Sequence, residues 1–330
     1  MSSIKPTILS TKDLCIGYKH RKLLDKLNVD LYKGEVICLI GKNGCGKSTL
    51  IRTLCGLQDA LSGTITINGK AIQKLSYHEK AQLISVVLTD KVHTDSLTVS
   101  QIVALGRHPY TNWLGNLTEK DEGIVGQSIA SVHLEHKKDD LYTKLSDGEK
   151  QRVMIAKALT QDTPIIFLDE PSAHLDVPNR MEIMILLQQL AKNTEKTILL
   201  STHELDLALQ TADKLWLMND QNIHIGIPED LVLSNIVEEN FSSSFYYFNR
   251  YTGNFNMHYA SDKSICIKGD AYLVYWTTRA LNRIGYTVDE NAPITISITE
   301  PNTWVVETAN SKNTLSSVES VLYFLQYVNI

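Results

Sequence analysis

One stretch limits what this chain can fold into more than any other: Gly41-Lys42-Asn43-Gly44-Cys45-Gly46-Lys47-Ser48, with Thr49 behind it. An apolar run, Val36-Ile37-Cys38-Leu39-Ile40, leads into it, and a helix-like segment, Thr49 to Leu54, leads out. That order of strand, glycine-rich loop and helix is the context in which a G-x-x-x-x-G-K-[ST] match means phosphate binding. The glycines let backbone N–H groups converge on an anion, and the helix N-terminus behind them adds roughly half a positive charge. Lys47 is placed to reach a nucleotide's terminal phosphates, and the Ser48 hydroxyl to sit on Mg²⁺.

A second strand completes such a site. Pro164 to Leu168 is fully apolar and ends in Asp169-Glu170. Burial in a parallel sheet puts both carboxylates at the strand's C-terminal edge, where open α/β sheets bind ligands. Two bare negative charges beside a triphosphate repel it, so they need separate tasks: Asp169 as the Mg²⁺ holder, acting through the ion's outer shell of ligands, and Glu170 as the base for a water. The next apolar strand, Thr197 to Thr202, ends at His203. It is a third polar group delivered to the same edge, and convergence of that kind marks catalytic sites. Between these blocks, Ser146 and Glu149 form a capping box at the head of an amphipathic helix, whose free amides make a second anion site. Tyr18 closes an early strand and reads, on burial habits, as an aromatic covering the core edge.

Composition narrows the class. With 43% hydrophobic and 21% charged residues, the chain reads as a globular protein, and its net charge of -5 argues against nucleic acid as a partner. Cys15, Cys38, Cys45, Cys55 and Cys266 form no C-x-x-C pair, which fits a reduced, cytoplasmic setting without disulfides or zinc. No segment offers the ~20 apolar residues of a membrane span, and the N-terminus lacks a signal-peptide core. Work at a membrane would go through another chain.

Taken together, residues 7 to about 235 resemble the ATP-binding subunit of an ATP-binding-cassette (ABC) transporter. Gly41 to Ser48 is similar to Walker A, Leu145-Ser146-Asp147-Gly148-Glu149 to the signature sequence, Ile165 to Glu170 to Walker B, Ser172 to Asp176 to the D-loop, and His203 to the switch histidine. The resemblance implies a P-loop NTPase cassette with a RecA-like core, an antiparallel β subdomain and a helical subdomain at about 97–160, all within residues 1–239. It implies that ATP and Mg²⁺ are bound by Tyr18, stacked on adenine, by Gly41, Asn43, Gly44, Cys45, Gly46, Lys47, Ser48 and Thr49, and by Asp169. It implies catalysis by Glu170 and His203 with Lys47, and a head-to-tail dimer in which Ser146 and Gly148 close over the partner's ATP. The implied partners are polytopic permease subunits and, indirectly, an external substrate-binding protein, which puts the chain at the cytoplasmic face of the membrane as a peripheral subunit.

Within the family, Leu105-Gly106-Arg107-His108-Pro109-Tyr110 resembles the loop of importers for iron-siderophore complexes, haem or cobalamin, and iron-chelate import is the preferred reading. The loop as a whole, Gly106 to Gly115 with Trp113, reads either as a partner-gripping surface or as packing inside the helical insert. Two positions depart from the family pattern. Thr89 stands where a Gln touches Mg²⁺, so it would act through a bridging water or yield to Asp90. Asp147 and Glu149 stand in the signature where Gly and Gln are common. Residues 240–330 change in composition and read as two strands and a helix twice over, a small α+β accessory domain whose role is dimer support or ligand-responsive regulation. The last helix is expected from Thr314 to Tyr327.

Overall fold

The computed structural model describes residues 6–88, 94–112, 115–219, 222–259, 261–300 and 303–327. Contacts divide the chain into two units, residues 1–240 with 250–253, and residues 241–249 with 254–330.

The first unit opens with β1 (Thr7–Tyr18), β2 (Arg21–Leu27) and β3 (Asp30–Tyr32). β4 (Val36–Gly41) is buried at every position, as a strand covered on both faces must be, and runs through the glycine-rich loop into α1 (Lys47–Leu54). β5 (Ser62–Ile67) returns antiparallel to β1 and β6 (Lys70–Ala71) antiparallel to β5, giving a five-stranded sheet ordered β2-β1-β5-β6 with β3 also on β1. Its alternating Ile65 and Ile67 face the same core as Leu9, Leu50 and Trp216. α2 (Tyr77–Leu83), started by a complete Ser76–Glu79 capping box, leads into β7 (Ile84–Val87).

Three helices form the insert: α3 (Val99–Ala104), α4 (Glu119–Ser131) and α5 (Asp147–Thr160). Each begins with a Ser or Thr cap that accepts from the N3 amide while the N3 side chain returns the bond, so their starts are written locally in the sequence. Then β8 (Ile165–Asp169), α6 (Val177–Thr194), β9 (Thr197–Ser201), α7 (Leu205–Thr211), β10 (Lys214–Met218), β11 (Ile223–Gly226), α8 (Pro228–Leu233) and α9 (Ile236–Phe241) follow. The central sheet has the order β11-β10-β4-β9-β8-β7, parallel from β10 to β7 with β11 antiparallel at one edge. This order makes β4, β9 and β8 neighbours, so the loop, His203 and Asp169-Glu170 leave adjacent strands at the same edge.

The second unit contains a hairpin of β12 (Tyr246–Asn249) and β13 (Asn254–Met257), then β14 (Lys263–Lys268), α10 (Ala271–Arg283), β15 (Tyr286–Val288), β16 (Thr295–Glu300), β17 (Thr303–Glu307), β18 (Lys312–Leu315) and α11 (Val318–Tyr327). The order β15-β14-β16-β17-β18 is a mixed five-stranded sheet with a core of Ile265, Leu281, Ile296, Trp304, Val306 and Val321. Trp304 Nε1 donates to Thr277 Oγ1 of α10 at 3.0 Å, so the buried indole is satisfied. This corrects the sequence expectation in two places. The pattern of two strands and a helix, twice over, leaves out β12, β15 and β18, and Thr314 is in a strand, with the last helix starting only at Val318. Lys312-Asn313-Thr314-Leu315 is polar at its first three positions and reads poorly as a strand because it is an edge, and edges are kept polar to block further pairing.

Candidate functional site

β4 delivers Gly41 to the sheet edge and the chain turns sharply into α1. Gly46, the residue before the helix, has φ of 112°, a conformation open to glycine and strained for other residues. Lys47 is 6% exposed, and its Nζ donates to Gly41 O at 2.9 Å and Lys42 O at 3.4 Å. The ammonium is thus held inside the loop by the loop's own carbonyls. Cys45 and Thr49 are buried, Ser48 is half-buried, and Asn43 and Gly44 are exposed. Tyr18 is 57% exposed and its hydroxyl lies 3.2 Å from Thr49 Oγ1. It is tied to the loop's helix with its ring largely in solvent, so the core-edge reading does not describe it.

At the end of β8, Asp169 is buried and its Oδ1 accepts from Ser201 Oγ at 2.7 Å. Ser201, the last residue of β9, also accepts from the Glu170 N–H at 2.9 Å. One hydroxyl therefore fixes both acidic residues. Sequence reasoning missed Ser201; the signal was a polar residue closing the aliphatic run Ile198 to Leu200. Glu170 has φ of 52°, a left-handed conformation that costs a non-glycine residue about 1–3 kcal/mol and persists where surroundings impose it. The turn takes the carboxylate off the strand direction, and its Oε1 lies 2.9 Å from His203 Nε2. Two of the three residues that the resemblance assigned to catalysis, Glu170 and His203, are thus in hydrogen-bond contact.

At α5, Ser146 Oγ accepts from the Glu149 N–H at 3.3 Å, and Glu149 Oε2 accepts from the Ser146 N–H at 2.9 Å. A Cβ on Gly148 would stand 2.8 Å from Asn179 Oδ1 of α6, so a side chain there would have to displace the Asn179 amide. Ser146 and Gly148 lie at the head of a 14-residue helix, in a separate place in the sequence from the phosphate loop. Thr89 and Asp90 lie outside the described residues, as does Trp113.

The loop after α3 resolves one alternative. Leu105–Tyr110 continues α3 as a 3₁₀ turn, and Arg107 is only 5% exposed. Its Nε donates to Asp121 Oδ1 at 2.8 Å and its Nη1 to Thr160 O at 3.0 Å, joining the starts and ends of three helices. Its guanidinium also packs 4.0 Å from the Tyr110 ring centroid. Arg107 is therefore packing inside the insert and not a partner-facing residue. Thr118, through its hydroxyl and amide, and then Arg107 hold the Asp121 carboxyl well below the usual range, at about 2.

No helix among the described residues is long and apolar enough to cross a membrane. Nor, among them, do three or more His, Cys, Asp or Glu side chains gather to cage a metal ion. Mg²⁺ is commonly bound by one or two protein oxygens together with substrate phosphates, and Ser48 and Asp169 offer hard oxygens of this type.

Residues 24–173 match the family model described as ABC transporter, and residues 262–326 match the one described as iron ABC transporter C-terminal domain. An uncharacterized ABC transporter ATP-binding protein of Methanocaldococcus jannaschii is 38% identical over 233 residues, 70% of this chain and 80% of that protein. The petrobactin import ATP-binding protein FpuD of Bacillus anthracis is 37% identical over 235 residues, 71% of this chain and 86% of that protein. Among solved structures, the ADP conformation of an ATP-binding cassette of an ABC transporter is similar with a TM-score of 0.63 at 26% identity, covering 70% of this chain and 96% of that one. The chain belongs to the ATP-binding subunits of ABC transporters, the ATPases that power them.

Proposed function

We propose that this chain energises the import of an iron-siderophore or related metal-chelate, through an ATP-bound dimer of two copies on permease subunits at the cytoplasmic face of a membrane. The observation that carries the ATPase part is the adjacency of β4, β9 and β8, which gathers Lys47, His203 and Asp169-Glu170 at one sheet edge. The import part is supported by the relative named for petrobactin and by the iron-type match over residues 262–326. Residues 1–239 are the ATP-binding domain in this reading and residues 240–330 an accessory domain.

Each residue then has a task its surroundings suit. The backbone of Gly41, Asn43, Gly44, Cys45, Gly46 and Thr49 wraps the phosphates, and Lys47 exchanges loop carbonyls for phosphate oxygens. Ser48 and Asp169 hold Mg²⁺, which supplies charge neutralisation when bound; Thr89 is the further candidate ligand. Tyr18, anchored through Thr49, stacks its exposed ring on adenine. Glu170 accepts a proton from the attacking water, and His203 keeps the carboxylate aimed. Ser146 and Gly148 contact the partner's ATP, and an external substrate-binding protein hands cargo to the permease.

Two experiments test this. Cells whose only copy carries Lys47→Ala are expected to lose radio-iron uptake from a hydroxamate or catecholate siderophore while cobalamin uptake continues, and the reverse pattern would assign cobalamin. Thr89→Gln is expected to raise basal ATP turnover on the order of fivefold, the rate equivalent of about 1 kcal/mol gained when a direct ligand replaces a water bridge. An unchanged steady-state rate would show that position 89 is idle.

A further inference from the structure

We propose that Lys137 is a positioning residue for the partner's nucleotide: it pins and neutralises Glu149, so that α5 offers its N-terminal amides to a triphosphate without a competing negative charge. The inference rests on the placement of Ser146 and Gly148 against the partner's ATP.

The first turn of α5 carries two acidic side chains, Asp147 and Glu149. Acids suit a helix N-terminus that faces water, but they oppose a phosphate that must approach it. Asp147 is largely exposed, with Lys150 Nζ 3.8 Å away, and water and salt screen it. Glu149 is more enclosed, with about a quarter of its side chain exposed. Both of its oxygens are engaged: Oε2 accepts from the Ser146 amide, and Oε1 lies 2.5 Å from Lys137 Nζ. The carboxylate is folded back on its own cap, with a cation beside it.

Lys137 reaches this point from a 3₁₀ turn, Glu135–Lys137, that follows α4. The packing of α4 on α5 sets the approach, since the two residues are 12 apart in the chain. Lys137 is also the first cause holding the Glu149 carboxyl below its usual range, so the acid stays ionised and remains bound to the ammonium. Partly exposed ion pairs contribute little to folding. A charge in the first turn of a helix that binds an anion still acts on that anion over a short distance in a low-dielectric interface. Loss of Lys137 should therefore spare the fold and weaken the nucleotide sandwich, and removing the Glu149 charge should cure the defect.

The test uses the full chain as wild type, Lys137→Ala, Glu149→Gln and the double variant, with ATPase kinetics on each. ATP-dependent dimerisation is followed by sedimentation with Glu170→Gln added to each to hold the ATP-bound state. Lys137→Ala is expected to raise KM for ATP, and the ATP concentration for half-dimerisation, roughly tenfold, with kcat within about twofold. Its melting temperature should stay within about 4 °C of wild type. The double variant should return to the Glu149→Gln values, and Lys137→Arg should behave as wild type. A Lys137→Ala protein with unchanged KM and dimerisation, or a double variant as impaired as Lys137→Ala, overturns the proposal. If the Glu170→Gln protein with Lys137 intact stays monomeric in ATP, the underlying sandwich reading falls and this inference falls with it.

Discussion

Glu170→Gln is expected to cut ATP turnover by about 10²–10⁴-fold, the usual worth of a positioned general base, while ATP still binds and two copies stay closed around it. The substitution is nearly isosteric, so it keeps the left-handed backbone at position 170 and the hydrogen bond that the backbone N–H of residue 170 donates to Ser201 Oγ. An amide oxygen can still meet His203, but an amide takes no proton from water at neutral pH. Binding and chemistry therefore separate. Single-turnover hydrolysis reads the second and sedimentation in ATP the first. Wild-type turnover in this variant would remove Glu170 from the role of base, and monomers in saturating ATP would remove the dimer.

The contrast between what was legible and what was not follows the range of the forces involved. Gly41 to Ser48, Asp169-Glu170 and the capping boxes at Ser76, Thr98, Thr118 and Ser146 are local devices, in which neighbouring residues supply each other's hydrogen bonds. Runs such as Ile165 to Leu168 and Ile198 to Leu200 announce strands buried on both faces. Ser201 could not be read in the same way, because its value lies in serving Asp169 and Glu170 from the neighbouring strand, 32 and 31 residues away. The second unit was read less well for a related reason. β15 and β18 are three- and four-residue edge strands, made by pairing with β14 and β17 and not by any pattern of their own.

Arg107 carries the same lesson into stability, since its loop motif allowed either a surface or internal packing and its side chain is a buried tie. Arg107→Ala should destabilise the first unit by about 3–5 kcal/mol, because it leaves the Asp121 carboxylate buried without its cation and the Thr160 carbonyl without a donor. Arg107→Met with Asp121→Leu removes both charges and should recover most of that loss, as apolar replacements of buried ion pairs commonly do. Chemical denaturation gives the totals, and amide exchange in α3, α4 and α5 locates them. Acid supplies an independent check on Asp121. Its folded pKa of about 2 lies below the unfolded carboxylate value near ~3.9, so its contribution is complete above the unfolded value and is lost as pH falls through about 2. The Asp121→Leu pair should lack that component and unfold with a flatter acid limb. If Arg107→Ala alone costs less than about 1 kcal/mol, the guanidinium is solvated in solution and the partner-surface alternative for its loop is restored.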